Sequence, residues 1–261
     1  VMNAMWGAGQ MMFNKILVLA DEGVKIQDYE SLAKYVFKNL NPATDIYFST
    51  GPMDVLDHSC SKLGFGGKMC IDGTAKMEEE MDDSYEAGVL SPEPAAIAVD
   101  LKNKFPEIRS VNVSLLKKEI PVLIIAVEKN RAGHIKQLHE QVADMPEVQG
   151  IKMIVYVEHT VEANDLPTAL WRFCNNLDPK RDFHLYKTAV NRYTACMGLD
   201  GTRKTKEYDN FHRDWPNIIV ADDATIKSVD EKWNALGIGG FIPSPSLKFK
   251  DQLYGEEAVV N

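Results

Sequence analysis

The sequence predicts an α/β fold: three-layer α/β/α units with a largely parallel or mixed sheet, present as a duplicated pair. Three observations carry this. Residues 15–48 align without a gap on residues 152–185. Lys15, Val18, Val24, Asp28, Asn39, Leu40, Pro42 and Asp45 meet Lys152, Val155, Val161, Asp165, Asn176, Leu177, Pro179 and Asp182. Further on, Ile71-Asp72-Gly73-Thr74-Ala75-Lys76 returns as Leu199-Asp200-Gly201-Thr202-Arg203-Lys204. Within each copy a short apolar run is followed by helical periodicity and then by a second short run. That strand–helix–strand order implies a right-handed crossover. The repeat period is too long for a solenoid.

Taken in order, residues 1–13 read as a helix with no N-cap before Val1. Gly7-Ala8-Gly9 within it reads as small residues for close packing. It lacks the preceding strand and third glycine of a dinucleotide fingerprint. The compact run 15–20 reads as a strand buried on both faces. Tyr29, Leu32, Ala33, Val36, Phe37 and Leu40 recur at helical spacing over 28–40, and Asn41-Pro42 stops that helix. Residues 45–49 form the next strand. In the second copy Leu166, Ala169, Leu170, Phe173, Cys174 and Leu177 take the inner face, which puts Cys174 in the packing slot of Phe37 as a core thiol. The acidic stretch 77–91 reads as a solvated connector, and Ser91-Pro92-Glu93 as a helix start. A helix to about 104, strands near 109–114 and 120–127, a helix near 132–144 and a strand at 152–157 follow. A last helix covers 224–236, and the tail with Pro243 and Pro245 reads as extended. These elements divide the chain into a first unit, 1–90, a related second unit, 91–236, and a tail, 237–261.

Composition narrows the partners. The chain has 45% hydrophobic and 26% charged residues and a formal charge of −9, which argues against a nucleic-acid partner, since phosphate backbones need clustered Lys and Arg. No apolar run reaches the ~20 residues that span a bilayer, and no stretch has signal-peptide character. Cys60, Cys70, Cys174 and Cys196 form no CxxC pair, so a reducing cytoplasm is expected and zinc is not.

The sharpest candidate segment is Gly51-Pro52-Met53-Asp54-Val55-Leu56-Asp57-His58. The second copy is nine residues shorter between the aligned blocks, which implies that the core fold does not require this loop, and long irregular loops are often functional. Pro52, Met53, Asp54, Leu56, Asp57 and His58 are therefore candidates for a substrate mouth or an interface. The plainer reading has Asp54 and Asp57 capping turns while Leu56 anchors the loop. Asp57 beside His58 lacks a third ligand, so no metal is expected. Gly64-Phe65-Gly66-Gly67-Lys68 resembles a phosphate cradle. Met69 and Lys62 stand where a Walker A has Ser or Thr and its first Gly, which leaves a tight glycine turn. Asp72/Asp200, Thr74/Thr202 and Lys76/Lys204 recur in both copies and read as a turn or cap with a salt bridge. His134 and Lys136, in Arg131-Ala132-Gly133-His134-Ile135-Lys136, read as surface chemistry.

The runs MWGAGQMMFNKILVLADEGV (5–24), NPATD (41–45), GPMDVLDHS (51–59) and GGKMCIDGTAK (66–76) together resemble the C-terminal region of UbiD-type decarboxylases. FPEIRSVNV (105–113), IPVLIIAVEK (120–129), RAGHIK (131–136), LDPKRD (177–182), MGLDGTRK (197–204) and RDWPNIIV (213–220) extend the resemblance in family order over nearly the whole chain. The nearest likeness is to longer UbiD-like proteins assigned to quinone biosynthesis. The resemblance implies decarboxylation of an aromatic or unsaturated acid with prenylated FMN and a divalent metal, often with potassium at the phosphate. It implies a flavin prenyltransferase as cofactor supplier and a homo-oligomer. It places the catalytic Glu–Arg–Glu set and the metal ligands in an upstream flavin-binding domain, so no catalytic residue is carried over and no cofactor is expected on this piece. Val1 aligns with Leu138, inside the second unit's helix, and the chain therefore reads as a C-terminal fragment concerned with assembly and closure of the active site. A stand-alone, non-catalytic interaction module is the alternative.

Overall fold

The computed structural model describes residues 1–188 and 192–254, and the backbone of Val259 and Val260. The chain forms two compact units, Val1–Arg213 and Asp214–Asn261. The first unit runs α1 (Met2–Trp6), β1 (Ile16–Leu19), α2 (Tyr29–Asn39), β2 (Ile46–Pro52), β3 (Phe65–Asp72), α3 (Pro94–Lys104), β4 (Ile108–Asn112), β5 (Val122–Val127), α4 (His134–Ala143), β6 (Met153–Glu158), α5 (Leu166–Asn176), β7 (Phe183–Lys187), β8 (Ala195–Asp200) and α6 (Lys206–Asp209). The second holds β9 (Val220–Ala221), α7 (Asp223–Leu236), a 3-10 helix (Pro245–Gln252) and β10 (Val259–Val260).

The fold is mixed α/β with two mixed sheets. One has the order β1-β3-β2, the other β4-β5-β6-β8-β7. β1 pairs parallel with β3, and β2 antiparallel with β3. β6 and β7 pair with β8 in the same senses. The β2–β3 connection holds no helix and the β7–β8 connection is too short for a crossover, so both pairs return as antiparallel neighbours,. Each repeat thus contributes a matching three-strand motif, and β5 and β4 extend the second one.

The expected divisions at 90 and 236 differ from the compact units. α2 and α5 bury their inner faces in one shared core, where Val36, Phe37 and Leu40 meet Val155, Phe173 and Leu177, so the two repeats form a single body. α7 belongs with the C-terminal residues, and the expected extended tail contains a 3-10 helix.

Three local readings are corrected. The helix over 1–13 breaks: α1 stops at Gly7, and Gly9, at φ +51, opens a 3-10 turn. The glycines thus end the helix rather than pack inside it. β1 is an edge strand, and Val18 is 48% exposed rather than buried. Cys174 is exposed, whereas Phe37 is buried. Phe173 stands where the first copy has Val36 and supplies the ring volume that Phe37 supplies there, so Cys174 turns outward. The acidic connector is also tied down. Tyr85 packs on Tyr193 with ring centroids 5.6 Å apart, and Glu86 N–H donates to Tyr193 O at 2.9 Å. Among the described residues no helix is long and apolar enough to cross a membrane.

Candidate functional site

Both repeats start from the same local chemistry. Asp28 and Asp165 cap α2 and α5 by accepting from Ser31 N–H and Thr168 N–H, as N-cap carboxylates do. Asn39 and Asn176 each donate to the carbonyl of the matching Gly73 or Gly201, at 3.2 and 3.0 Å. Asp72 accepts from the Thr74 amide and hydroxyl, and Asp200 from those of Thr202. Lys76 Nζ donates to Asp72 O and Thr74 O, and Lys204 Nζ to Asp200 O and Thr202 O. The recurring triplet is architecture.

The repeats are joined by an exchange of lysines. Lys152 Nζ donates to Phe37 O at 2.6 Å and Leu40 O at 2.7 Å, carbonyls at the C-terminal end of α2. Lys15, its counterpart, donates to Cys174 O at 3.4 Å, the position in α5 that matches Phe37. The last carbonyls of a helix lack intrahelical donors and carry its negative end, so each repeat's lysine caps the other's helix. Burial pushes the Lys152 ammonium down to about 8, with Asp45 opposing in part.

The candidate loop 53–64 enters this exchange on one side only. Lys15 Nζ also donates to Ser59 Oγ at 3.0 Å and pairs with Asp57 at 2.7 Å. Ser59 Oγ in turn sits 3.0 Å from Leu177 O, the carbonyl that matches Leu40 O. The loop therefore wedges Asp57 and Ser59 between Lys15 and α5, where the second copy makes a direct lysine contact. His58 Nε2 lies 3.1 Å from Asn176 Oδ1. Arg181 donates to Ser59 O at 2.7 Å and Arg213 to Cys60 O at 2.6 Å. Burial alone would raise the Asp57 carboxyl, but the Lys15 charge and the Ser59 donors hold it below the usual range. Burial lowers His58 and pushes the Cys60 thiol up to about 11, which leaves it a poor nucleophile.

The structure therefore sorts the candidate residues. His58 reaches Asn176 of α5, Asp57 pairs with Lys15, Met53 is buried, and Pro52 ends β2. Asp54 caps its turn by accepting from Leu56 N–H, and Asp57 likewise accepts from Ser59 N–H. Leu56 is 85% exposed and anchors nothing. Met53, Ser59 and Cys60 are the anchors. The expected glycine turn at 64–68 reduces to Gly64, at φ +68. Gly66 and Gly67 lie within β3, where a Cβ would strike Cys60 Sγ and Asp178, so these glycines permit close approach rather than cradle a phosphate. The sequence reading missed Lys15, Ser59, Arg181 and Arg213. Only Lys15 carried a signal, its repetition as Lys152.

A charged cavity, of about 130 Å³, lies beside α4 and includes Lys129, His134, Lys136, Arg181, Asp200 and Lys204. The surface reading of His134 is corrected: it is fully buried, with Nε2 3.1 Å from Glu107 Oε1. Lys129 Nζ is bound by both Asp209 oxygens at 2.8 Å. Burial raises the Asp200 carboxyl, but Lys204, Lys129 and the Thr202 donors outweigh it and bring it down to about 2. A depressed carboxylate stabilises the fold above its unfolded value and loses that contribution as pH falls through its folded value. Asp200→Asn should therefore cost about 2 kcal/mol near pH 6. That cost should shrink as pH drops from about 4 to about 2, as read by urea unfolding of both proteins across that range. A pH-independent difference would contradict this assignment. Among the described residues no group of three or more His, Cys, Asp or Glu could hold a metal.

The chain is similar to several known proteins. Residues 1–73 and 91–206 match the family described as the 3-octaprenyl-4-hydroxybenzoate carboxy-lyase C-terminal domain. An uncharacterised protein of Helicobacter pylori is 28% identical over 240 residues, covering 89% of this chain and 35% of its own length. One of Aquifex aeolicus is 40% identical over 77 residues, covering 30% of this chain and 16% of its own length. The chain thus spans about a third of the Helicobacter relative. Among solved structures, the vanillic acid decarboxylase of Sedimentibacter hydroxybenzoicus in open form is 14% identical, with a TM-score of 0.41 over 67% of this chain and 39% of that one. A UbiD-class enzyme of Pelotomaculum thermopropionicum in complex with prFMN is 20% identical, with a TM-score of 0.36 over 47% and 27%. With its profile matched over both repeats, the chain belongs to the 3-octaprenyl-4-hydroxybenzoate carboxy-lyase C-terminal domain family.

Proposed function

We propose that the chain is the C-terminal assembly and lid region of a longer UbiD-like carboxy-lyase that acts on an aromatic or unsaturated acid in quinone biosynthesis. The family match across both repeats is the observation that carries this reading. The internal duplication is part of the proposal, supported by the matching caps and the exchanged lysines. The cofactor would be prenylated FMN with a divalent metal, made by a flavin prenyltransferase and held by an upstream domain of the same homo-oligomeric enzyme.

The buried lysines and the β3 glycines of this chain do not form a seat for that cofactor. Lys15, Lys129, Lys152 and Lys204 are each engaged by carboxylates or carbonyls. The glycines of β3 pack against Cys60 and Asp178. No catalytic step is therefore assigned here. The loop 53–64 presents exposed Val55 and Leu56 at its tip, and its share of function would be to face the flavin domain or the substrate mouth through Pro52–Leu56.

The test is removal of this region from the longer enzyme. The remainder should keep flavin binding but lose its oligomeric state and most of its turnover, because an open pocket admits water. A truncated enzyme with normal assembly and turnover would favour the stand-alone module.

A further inference from the structure

The two repeats differ most at one sheet edge. β6 is flanked by β8 on one side and by β5, in parallel register, on the other. Among the described residues β1, its counterpart, pairs only with β3. Met69 and Gly73 N–H groups of that side donate to Lys15 and Leu19 carbonyls. The alternation of a parallel strand then turns the amides of Ile16 and Val18 to the opposite edge. Burial follows the same asymmetry: Val155 in β6 is 2% exposed and the matching Val18 is 48% exposed.

The residues before β1 carry the same signature. α1 ends at Trp6 and a 3-10 turn starts at Gly9, at the positions where α4 ends at Ala143 and a 3-10 turn starts at Pro146. α1 is therefore the counterpart of the last part of α4, the crossover helix that joins β5 to β6. In α4 and its following turn, Leu138, Val142 and Val148 are buried. Their counterparts Val1 and Met11 are exposed, and Met5 is half-buried. A crossover helix entering a strand carries its preceding parallel strand in the same sheet, with right-handed connection.

We propose that the open edge of β1 is the seat of a parallel β-strand, apolar on both faces, supplied by upstream residues of the same polypeptide. This rests on the reading that the chain is part of a longer protein, of which the Helicobacter relative, matched over 35% of its length, gives the scale. Val1 matches Leu138, and β5 lies about 11 to 16 residues before Leu138, so the strand belongs at that distance ahead of Val1. A second copy of the chain fits less well. A two-fold dimer would pair β1 with β1 in antiparallel sense, and the seat by analogy with β5 is parallel.

The experiment compares hydrogen exchange over residues 16–20 in two proteins. One is the 261-residue chain. The other is the same chain extended by the ~40 residues that would precede Val1 in the longer protein proposed above, enough for a strand and a helix. The extension should slow exchange at Ile16 and Val18 by about tenfold or more. Val18→Pro should abolish that slowing, yet leave the unfolding midpoint of the shorter chain unchanged, since a proline is tolerated where its missing N–H faces an open edge. Equal, fast exchange in both proteins overturns the proposal whether or not the variant folds. So does a reading frame with no apolar strand at that distance, or protection in the shorter chain that rises with concentration as dimers form. A filled seat in an enzyme that releases no CO2 would sink the proposed activity alone, and CO2 release with an open seat would sink this inference alone.

Discussion

Replacing residues 51–66 with the shorter Thr188–Thr194 connection should destabilise the chain by about 3–5 kcal/mol, read as a lower urea midpoint. The exchange removes the burial of Met53 and Cys60, each 3% exposed or less, and a fully buried Met side chain is worth roughly 1.5–3 kcal/mol. It also takes Asp57 away from Lys15, and stripping one partner from a largely buried ion pair costs up to about 3–5 kcal/mol by itself. These terms overlap, so they do not add. A loss under about 1 kcal/mol would mean that Lys15 has dropped onto Leu177 O, as Lys152 sits on Leu40 O. The loop would then be the dispensable insertion that the second copy suggests. In the proposed longer enzyme the same replacement should remove most turnover.

Lys152→Met should cost about 2–4 kcal/mol, more than any exposed ion-pair change, because two helix-end carbonyls lose their donor at a buried position. Exposed pairs such as Lys34–Glu30 are worth at most about 1 kcal/mol. The loss should also depend on pH. Burial holds the folded Lys152 ammonium at about 8, below its unfolded value. As pH rises from about 8 toward 10.5 the unfolded chain keeps a proton that the folded chain has released, so the unsubstituted chain gains stability there. The substituted chain lacks that gain, and the gap between the two should widen over this window. Denaturant titrations at pH 7 and pH 9.5 check both the size and the direction. A gap that narrows would show that the charged lysine, not the neutral amine, is what the seam prefers.

Local patterns in the sequence foretold much of this body and little of its seam. Apolar periodicity marked α2 and α5, and the helices expected near 132–144 and over 224–236 lie close to α4 and α7; the caps Asp28, Asp165 and Asp222 are seen only in the structure. Gly237, in left-handed conformation, ends α7 as a C-terminal glycine should,. The run 15–20 looked like a strand buried on both faces, because an apolar run cannot reveal whether a neighbouring strand lies beside it. Cys174 was misplaced because the alignment could not foresee that Phe173, one residue earlier, fills the core. The lysine exchange was invisible as chemistry. Lys152 and Phe37 are 115 residues apart, and no local pattern links an amino group to a distant helix end. Leu56 looked like an anchor because it is apolar, whereas the loop is held by Met53, by a buried serine and by two arginines on its backbone carbonyls.

The central claim is that the carboxy-lyase chemistry lies outside this chain, which contributes structure to it. The direct measurement is CO2 release from a panel of aromatic and unsaturated acids, made side by side on the 261-residue chain and on the longer enzyme, both supplied with prenylated FMN and a divalent metal. The account predicts CO2 from the longer enzyme and none from the chain alone, which should also fail to retain the flavin through gel filtration. Release of CO2 by the isolated chain, or stoichiometric flavin retained on it, would contradict the account.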